Sequence, residues 1–267
     1  MLNSNSAART IKIKIIINQI TKHQTMKQLK ISVLSIITLI SAYTLHAQTV
    51  DEIIDKHIQA IGGKDVLDKI NTVYMESNIQ MMGNETPATT TILNGKAYKT
   101  EMEMNGSKFV SCFTDKGGWM INPMMGATTP QPMGDEQYKV GKQQMDVGGV
   151  LYNYKEKGNK VELAGQEKVG DVNAYKLNVT TPDSNTITYY IDPNTYYIIQ
   201  ASMTANVQGQ DVDITTTFSD YKKTDIGYVL PYSINTNYGG QFDMPITVTK
   251  VEVNKEVDPS VFEMPKQ

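Results

Sequence analysis

The stretch Asn185–Met203, NTITYYIDPNTYYIIQASM, restricts the fold more than any other. In Thr186–Ile191, the residues Ile187, Tyr189 and Ile191 alternate with Thr186, Thr188 and Tyr190, and a period of two marks a strand. Asp192-Pro193-Asn194-Thr195 has turn chemistry, because proline presets φ while Asp and Asn hydrogen-bond their own backbone. The return arm sets Tyr197, Ile199, Ala201 and Met203 against Tyr196, Ile198, Gln200 and Ser202. β-Branched and aromatic side chains fill both arms. Similar hairpins on either side make this one unit of a long antiparallel sheet.

Upstream, Val73, Met75, Ser77, Ile79 and Met81 alternate through Thr72–Met82. Ala88–Leu93 runs into Asn94-Gly95, and Asn105-Gly106 follows a strand later; both dipeptides favour tight hairpins. Between them Tyr98, Thr100, Met102 and Met104 face one way while Lys99, Glu101 and Glu103 face the other, the pattern of a sheet with one solvated side. Lys108–Thr114 and Trp119–Asn122 continue the series. Downstream, Lys160–Leu163, Glu167–Val169, Ala174–Thr180, Val212–Tyr221, Tyr228–Tyr238 and Ile246–Val253 read as strands. Pro231 predicts an edge or a bulge, and the phase slip between Val248 and Val251 predicts another bulge.

Helical patterning is confined to two places. Thr49 and Glu52 form a capping-box pair ahead of a stripe of Val50, Ile53, Ile54, His57, Ile58 and Ile61. Gly62-Gly63 ends that helix, and Lys64–Ile70 predicts a second short one. Pro123–Gly134 (PMMGATTPQPMG) reads as an apolar loop. Asp135–Leu151 reads as a helix weakened by Gly141, Gly148 and Gly149.

The first 47 residues are set apart from this pattern. Lys27 and Lys30 precede the apolar run Ile31–Leu45, and Ala47 follows. That is the layout of a secretory signal peptide over 26–47, with 1–25 an upstream extension or a long basic region. Its 15 apolar-region residues fall short of the roughly 20 needed to span a bilayer. No Cys lies near the cut, so the expectation is a periplasmic protein without a lipid anchor, with 48–267 as one domain. Six of the 25 basic residues and none of the 28 acidic ones lie in 1–47, which leaves 19 against 28 and a net charge of −9 for residues 48–267. Arg9 is the sole Arg. An acidic chain without Arg is a poor binder of nucleic acid.

Catalytic constellations are missing from the sequence. His57 is the one His after residue 47, and it sits on the apolar stripe of the first helix. Cys112 is the single Cys, readable as a small buried hydrophobe. One His and one Cys do not build a zinc site, and no HExxH, GxSxG, P-loop or GxGxxG occurs. We expect no enzyme, no cofactor and no metal. Methionine is the unusual feature: 10 of the 15 lie between Met75 and Met145. Two readings compete. Flexible thioethers line adaptable apolar surfaces, and they also bind Cu(I), with Met102-Glu103-Met104 and Met124-Met125 as the pairs to consider. The scarcity of Leu in Val73–Asn122, where Leu93 stands alone, favours the first, while the lack of His and Cys partners weighs against the second.

In the order of its motifs the chain resembles the periplasmic lipoprotein carriers of the Lol pathway, the LolA/LolB-like lipid-binding superfamily. The motifs are an opening helix in VDEIIDKHIQAIGGKDVLDKI (Val50–Ile70), the hairpin DKGGWMINP (Asp115–Pro123), YIDPNTY (Tyr190–Tyr196), TTTFSDYKKTDIGYVLP (Thr215–Pro231) and the F-x-x-P tail Phe262–Pro265. The resemblance covers nearly all of 48–267. It implies a mostly β, α+β fold: one strongly curved antiparallel sheet, an unclosed barrel, with the N-terminal helix and a mid-chain helical segment covering the concave face. It implies binding of acyl chains, in outer-membrane lipoprotein sorting or lipid transport, with acylated lipoproteins or other lipids and an inner- or outer-membrane protein as partners, by a monomer. The family's better-known carriers latch their helical lid with an Arg, and residues 48–267 contain none. An envelope sensor or partner-binding module on the same fold is the alternative. Candidate cavity residues are Tyr98, Met102, Met104, Phe109, Trp119, Met120, Met124 and Met125.

Overall fold

Thirteen strands form one antiparallel sheet in the computed structural model, which describes residues 48–266 apart from 82, 208 and 209. The leader expected over 26–47 and the segment before it lie outside the described residues. The strands are β1 Thr72–Met81, β2 Asn84–Leu93, β3 Ala97–Met104, β4 Ser107–Thr114, β5 Gly117–Asn122, β6 Ala127–Pro132, β7 Lys160–Val169, β8 Val172–Thr180, β9 Thr186–Ile191, β10 Ile198–Val207, β11 Gln210–Lys223, β12 Val229–Tyr238 and β13 Phe242–Val253. Their spatial order is β6-β5-β4-β3-β2-β1-β13-β12-β11-β10-β9-β8-β7. Two meanders therefore meet at a β1–β13 seam, and β6 and β7 are the two edges. The sheet is strongly curved and does not close into a barrel.

The hairpins follow from local chemistry. Asn105 and Gly106 both take positive φ, 53° and 74°, as a tight two-residue turn requires. The bulge expected near Val248 is present: Glu76 pairs with Lys250 and Ser77 with Val248, so Thr249 is the extra residue. Its Oγ1 donates to the Glu76 carbonyl at 3.1 Å. The two strands expected at Lys160–Leu163 and Glu167–Val169 are one, β7, with a register shift between Leu163 and Gln166. Pro231 lies on a central strand, not an edge. It pairs with Tyr221 of β11, and the ladder to β13 starts only at Ser233, so its missing N–H interrupts no bond on that side.

Helix α1, Val50–Ala60, carries the expected capping box. The Thr49 N–H donates to Glu52 Oε2 at 3.0 Å, and the Glu52 N–H to Thr49 Oγ1 at 3.2 Å. Its stripe buries Ile53, Ile54, His57 and Ile58 in a core shared with Val73, Ile92, Leu177, Val179 and Ile191 of the sheet. Helix α2, Lys64–Leu67, adds Leu67 to that core. Of the described helices, none is long and apolar enough to cross a membrane.

Two further expectations are corrected. The loop expected at Pro123–Gly134 is a 3₁₀ turn, Pro123–Met125, followed by strand β6. Pro130 and Pro132 are tolerated because β6 is an edge and leaves its outer N–H positions unused. The helix expected over Asp135–Leu151 stops early: α3 spans Asp135–Gly141, a 3₁₀ turn covers Lys142–Met145, and turns continue to Gly158. The helical path is broken at Asp146, whose φ of −99° and ψ of 109° are extended.

Candidate ligand cavity

The run from Met133 to Asn159 connects the two edges of the sheet, β6 to β7. A connection between opposite edges has to cross one face, and this one crosses the concave face as a strap. On one side the Tyr138 hydroxyl donates to the Thr114 carbonyl at 2.7 Å, and Gly141 lies against the Phe113 ring. On the other side the Lys142 ammonium pairs with Asp183 at 2.6 Å. The strap also meets the β2–β3 turn, where the Gly95 N–H donates to the Met145 carbonyl at 2.7 Å and the Val147 N–H to Asn94 Oδ1 at 3.0 Å. It is tied to the helices by Tyr154 to Asp51 at 2.6 Å, Lys155 to Asp51 at 2.9 Å and a Tyr152–Asp68 hydrogen bond. Helix α1 is seated in turn by His57, whose Nδ1 is 2.8 Å from the Tyr196 carbonyl.

Beneath the strap lies a cavity of about 730 Å³, within the range of roughly 300–1,000 Å³ typical of small-molecule sites. Pleat parity explains its lining. One wall presents Val73, Met75, Ser77 and Ile79 of β1, Thr90 and Ile92 of β2, Tyr98 and Thr100 of β3, and Ser111 and Phe113 of β4. The other wall presents Ile214, Thr216 and Phe218 of β11, Leu230, Ile234, Thr236 and Tyr238 of β12, and Met244, Ile246 and Val248 of β13. Pro231 of β12, Gln144, Asp146 and Val147 of the strap and Tyr228 of the β11–β12 turn complete it. The lining is mainly apolar, with two hydroxyl rows. Thr90 Oγ1 donates to Thr100 Oγ1 at 3.2 Å, and Thr100 Oγ1 to the Thr89 carbonyl at 3.2 Å. Ser111 pairs with Thr100 and extends that row across β4. Thr216 and Thr236 face each other at 3.2 Å across β11 and β12.

The phenols stay neutral. Burial raises the pKa of Tyr98, against hydrogen bonding to Thr90 and Thr100. Burial also pushes Tyr228 up to about 12, with the Asp146 charge adding to the shift. Among the described lining residues Asp146 is the single carboxylate, and Lys157 pairs with it. No cluster of three His, Cys, Asp or Glu able to hold a metal occurs among the described residues.

The candidate residues separate into groups. Tyr98 lines the cavity. Met104 and Phe109 form an apolar cluster with Met81, and Met102 packs on it; these residues lie toward the end where the β1–β2 and β3–β4 turns gather. Met120 pairs with Ser111 and so shares its face. Met124 and Met125, 55% and 42% exposed, sit on the β5–β6 turn. Trp119 belongs to the opposite face. It pairs with Cys112, packs in a second core with Ala97, Val110, Ile121 and Phe262, and donates from Nε1 to the Phe262 carbonyl at 2.9 Å. The β11–β13 wall was absent from the sequence candidates. The alternation Ile214-Thr215-Thr216-Thr217-Phe218 was its available signal.

A scan of protein-family models finds no match to the chain, and a search of curated proteins finds none either. Solved structures do match. A LolA superfamily protein from Nitrosomonas europaea aligns with a TM-score of 0.55 at 12% identity, covering 81% of this chain and 98% of its own. A domain assigned to outer membrane lipoprotein sorting, from Vibrio parahaemolyticus, aligns with a TM-score of 0.50 at 11% identity, covering 79% and 94%. At such identities the likeness is one of fold, and the fold is the LolA-like one expected from the motifs.

Proposed function

We propose that this chain, with the fold of LolA superfamily proteins, is a non-catalytic periplasmic carrier that holds acyl chains in the cavity beneath its strap. The observation that carries the reading is the roofed, mainly apolar cavity of about 730 Å³ between the two wings of one curved sheet. Each methylene moved from water into such a site contributes about 0.8 kcal/mol. A chain of about a dozen methylenes then contributes on the order of 10 kcal/mol before the costs of association. Binding of that kind needs area and plasticity, not directional chemistry, and the Met and aromatic lining supplies both. Acylated proteins of the cell envelope are the clients this reading favours, with Tyr98 a wall residue and the Met81–Met102–Met104–Phe109 cluster flanking the site.

Native mass spectrometry of the protein purified from the periplasm of its own cells tests the reading. Co-purified lipid, and displacement of it by a fluorescent acyl probe, are expected. Protein that is consistently empty and takes up no acyl probe overturns it.

A further inference from the structure

We infer that the cavity selects uncharged acyl groups, esters and amides, over free fatty acids and other lipids whose anionic end must enter with the chain. The inference rests on the reading of this cavity as a lipid site and narrows the ligand class.

The lining carries the argument. No cationic side chain is among the described residues that line the cavity. The strap ammonium that reaches the Asp146 wall, that of Lys157, is already engaged: it pairs with Asp146 and donates to the Gly149 carbonyl at 2.8 Å. Asp146 is itself an anion at the cavity wall, held in place by the Gly148 N–H at 3.0 Å. A carboxylate drawn inside would lose its water, meet no free counter-charge and lie beside a carboxylate that already holds the one ammonium at this wall, which is the costly way to bury an ion. The hydroxyl rows offer neutral hydrogen bonds instead. Ser111 continues the Thr90–Thr100 row on one wall, Ser77 stands on the neighbouring strand β1, and Thr216 and Thr236 occupy the other wall. An ester or amide carbonyl needs one such donor and brings no net charge. Tyr98, kept protonated by burial, adds a hydroxyl of the same neutral kind, while that of Tyr228 already donates to the Val147 carbonyl at 3.5 Å.

The test is a pair of titrations with pyrene-labelled palmitic acid and its methyl ester, on the protein purified from its own cells, at about pH 8 where the carboxyl is ionised. The ester is expected to bind at least tenfold tighter than the acid, with the gap narrowing as pH falls and the acid is neutralised. Equal binding, or tighter binding of the acid, overturns the inference and leaves the carrier reading standing. Failure of both probes to bind overturns the carrier reading and the inference with it. Asp146→Asn supplies a second readout, since it removes the like charge and frees the Lys157 ammonium. The acid-to-ester affinity ratio should rise at least threefold, and an unchanged ratio counts against the assignment.

Discussion

The ring of Phe113 lies where a side chain at position 141 would begin: a Cβ built on Gly141 comes within 2.1 Å of the ring's Cε1 and Cζ. Phe113 lines the cavity from β4, and Gly141 ends helix α3 of the strap. The contact sets how closely the strap can descend onto that wing of the sheet.

Gly141→Ala should therefore destabilise the protein even though Ala is the better helix former by about 1 kcal/mol. Overpacking of this kind typically costs roughly 1–3 kcal/mol. A lowered thermal midpoint, together with faster hydrogen exchange over Asp135–Met145, is the expected result. A midpoint that rises would show that the ring moves aside freely.

The Lys142–Asp183 pair offers a different kind of control. Both side chains are about one-third exposed, so the pair adds little to global stability, about 0–1 kcal/mol. Its position is what matters, because it joins the strap to the β8–β9 turn on the wing opposite Phe113. Lys142→Met should leave the unfolding midpoint within a few degrees and accelerate release of a bound fluorescent acyl probe in stopped-flow measurements. An unchanged release rate would place the lid elsewhere.

Trp119 reports on the convex face. Binding of an acyl ligand in the cavity should leave its emission maximum unshifted, whereas Phe262→Ala should shift it to the red as water reaches the indole. The same truncation should cost roughly 3–5 kcal/mol, as for other buried Phe. A large ligand-induced shift would show that Trp119 is coupled to the cavity.

His57 makes stability depend on acidity. Burial lowers its pKa from 6.5 to about 4, opposed by the hydrogen bond to the Tyr196 carbonyl. The unfolded imidazole takes up its proton near 6.5 and the folded one only near 4, so stability rises with pH across that window and is lost as pH falls through it. The group's contribution amounts to about 3 kcal/mol, from roughly 1.4 kcal/mol per pH unit. Urea unfolding at pH 7 and pH 4.5 should show this loss, and His57→Gln should flatten it.

The hairpins were legible because each turn announces itself locally, in Asn94-Gly95, Asn105-Gly106 and Asp192-Pro193-Asn194-Thr195. The α1 stripe and the bulge near Val248 were legible for the same reason, since periodicity is a local property. Strand β6 was not, because Pro130 and Pro132 argue against a strand unless its edge position is known. The end of α3 was hidden because Gly141 answers to a ring on β4. The face that Trp119 takes is not legible, because β4 is apolar on both sides: Phe109 and Phe113 point inward, Val110 and Cys112 outward under the C-terminal 3₁₀ turn Pro259–Phe262. The cavity was half legible. Its first wall has the cleanest alternation in the chain, and its second wall comes next to the first only through the β1–β13 seam.

That seam has a consequence for how the molecule assembles. Val73 pairs with Val253 and Ile79 with Ile246, so the middle of the sheet joins segments from the two ends of the described chain. Hairpins within each meander close quickly, but long-range pairing pays its loop-closure entropy late. Until β13 arrives, β1 is an open edge of Val, Met and Ile, the kind of surface on which chains pair with one another. The last strand completes the second wall and removes that edge in one step. A chain arrested before Phe242 should therefore be captured by chaperones or aggregate, whereas the complete chain zips shut along the line where its cavity is made.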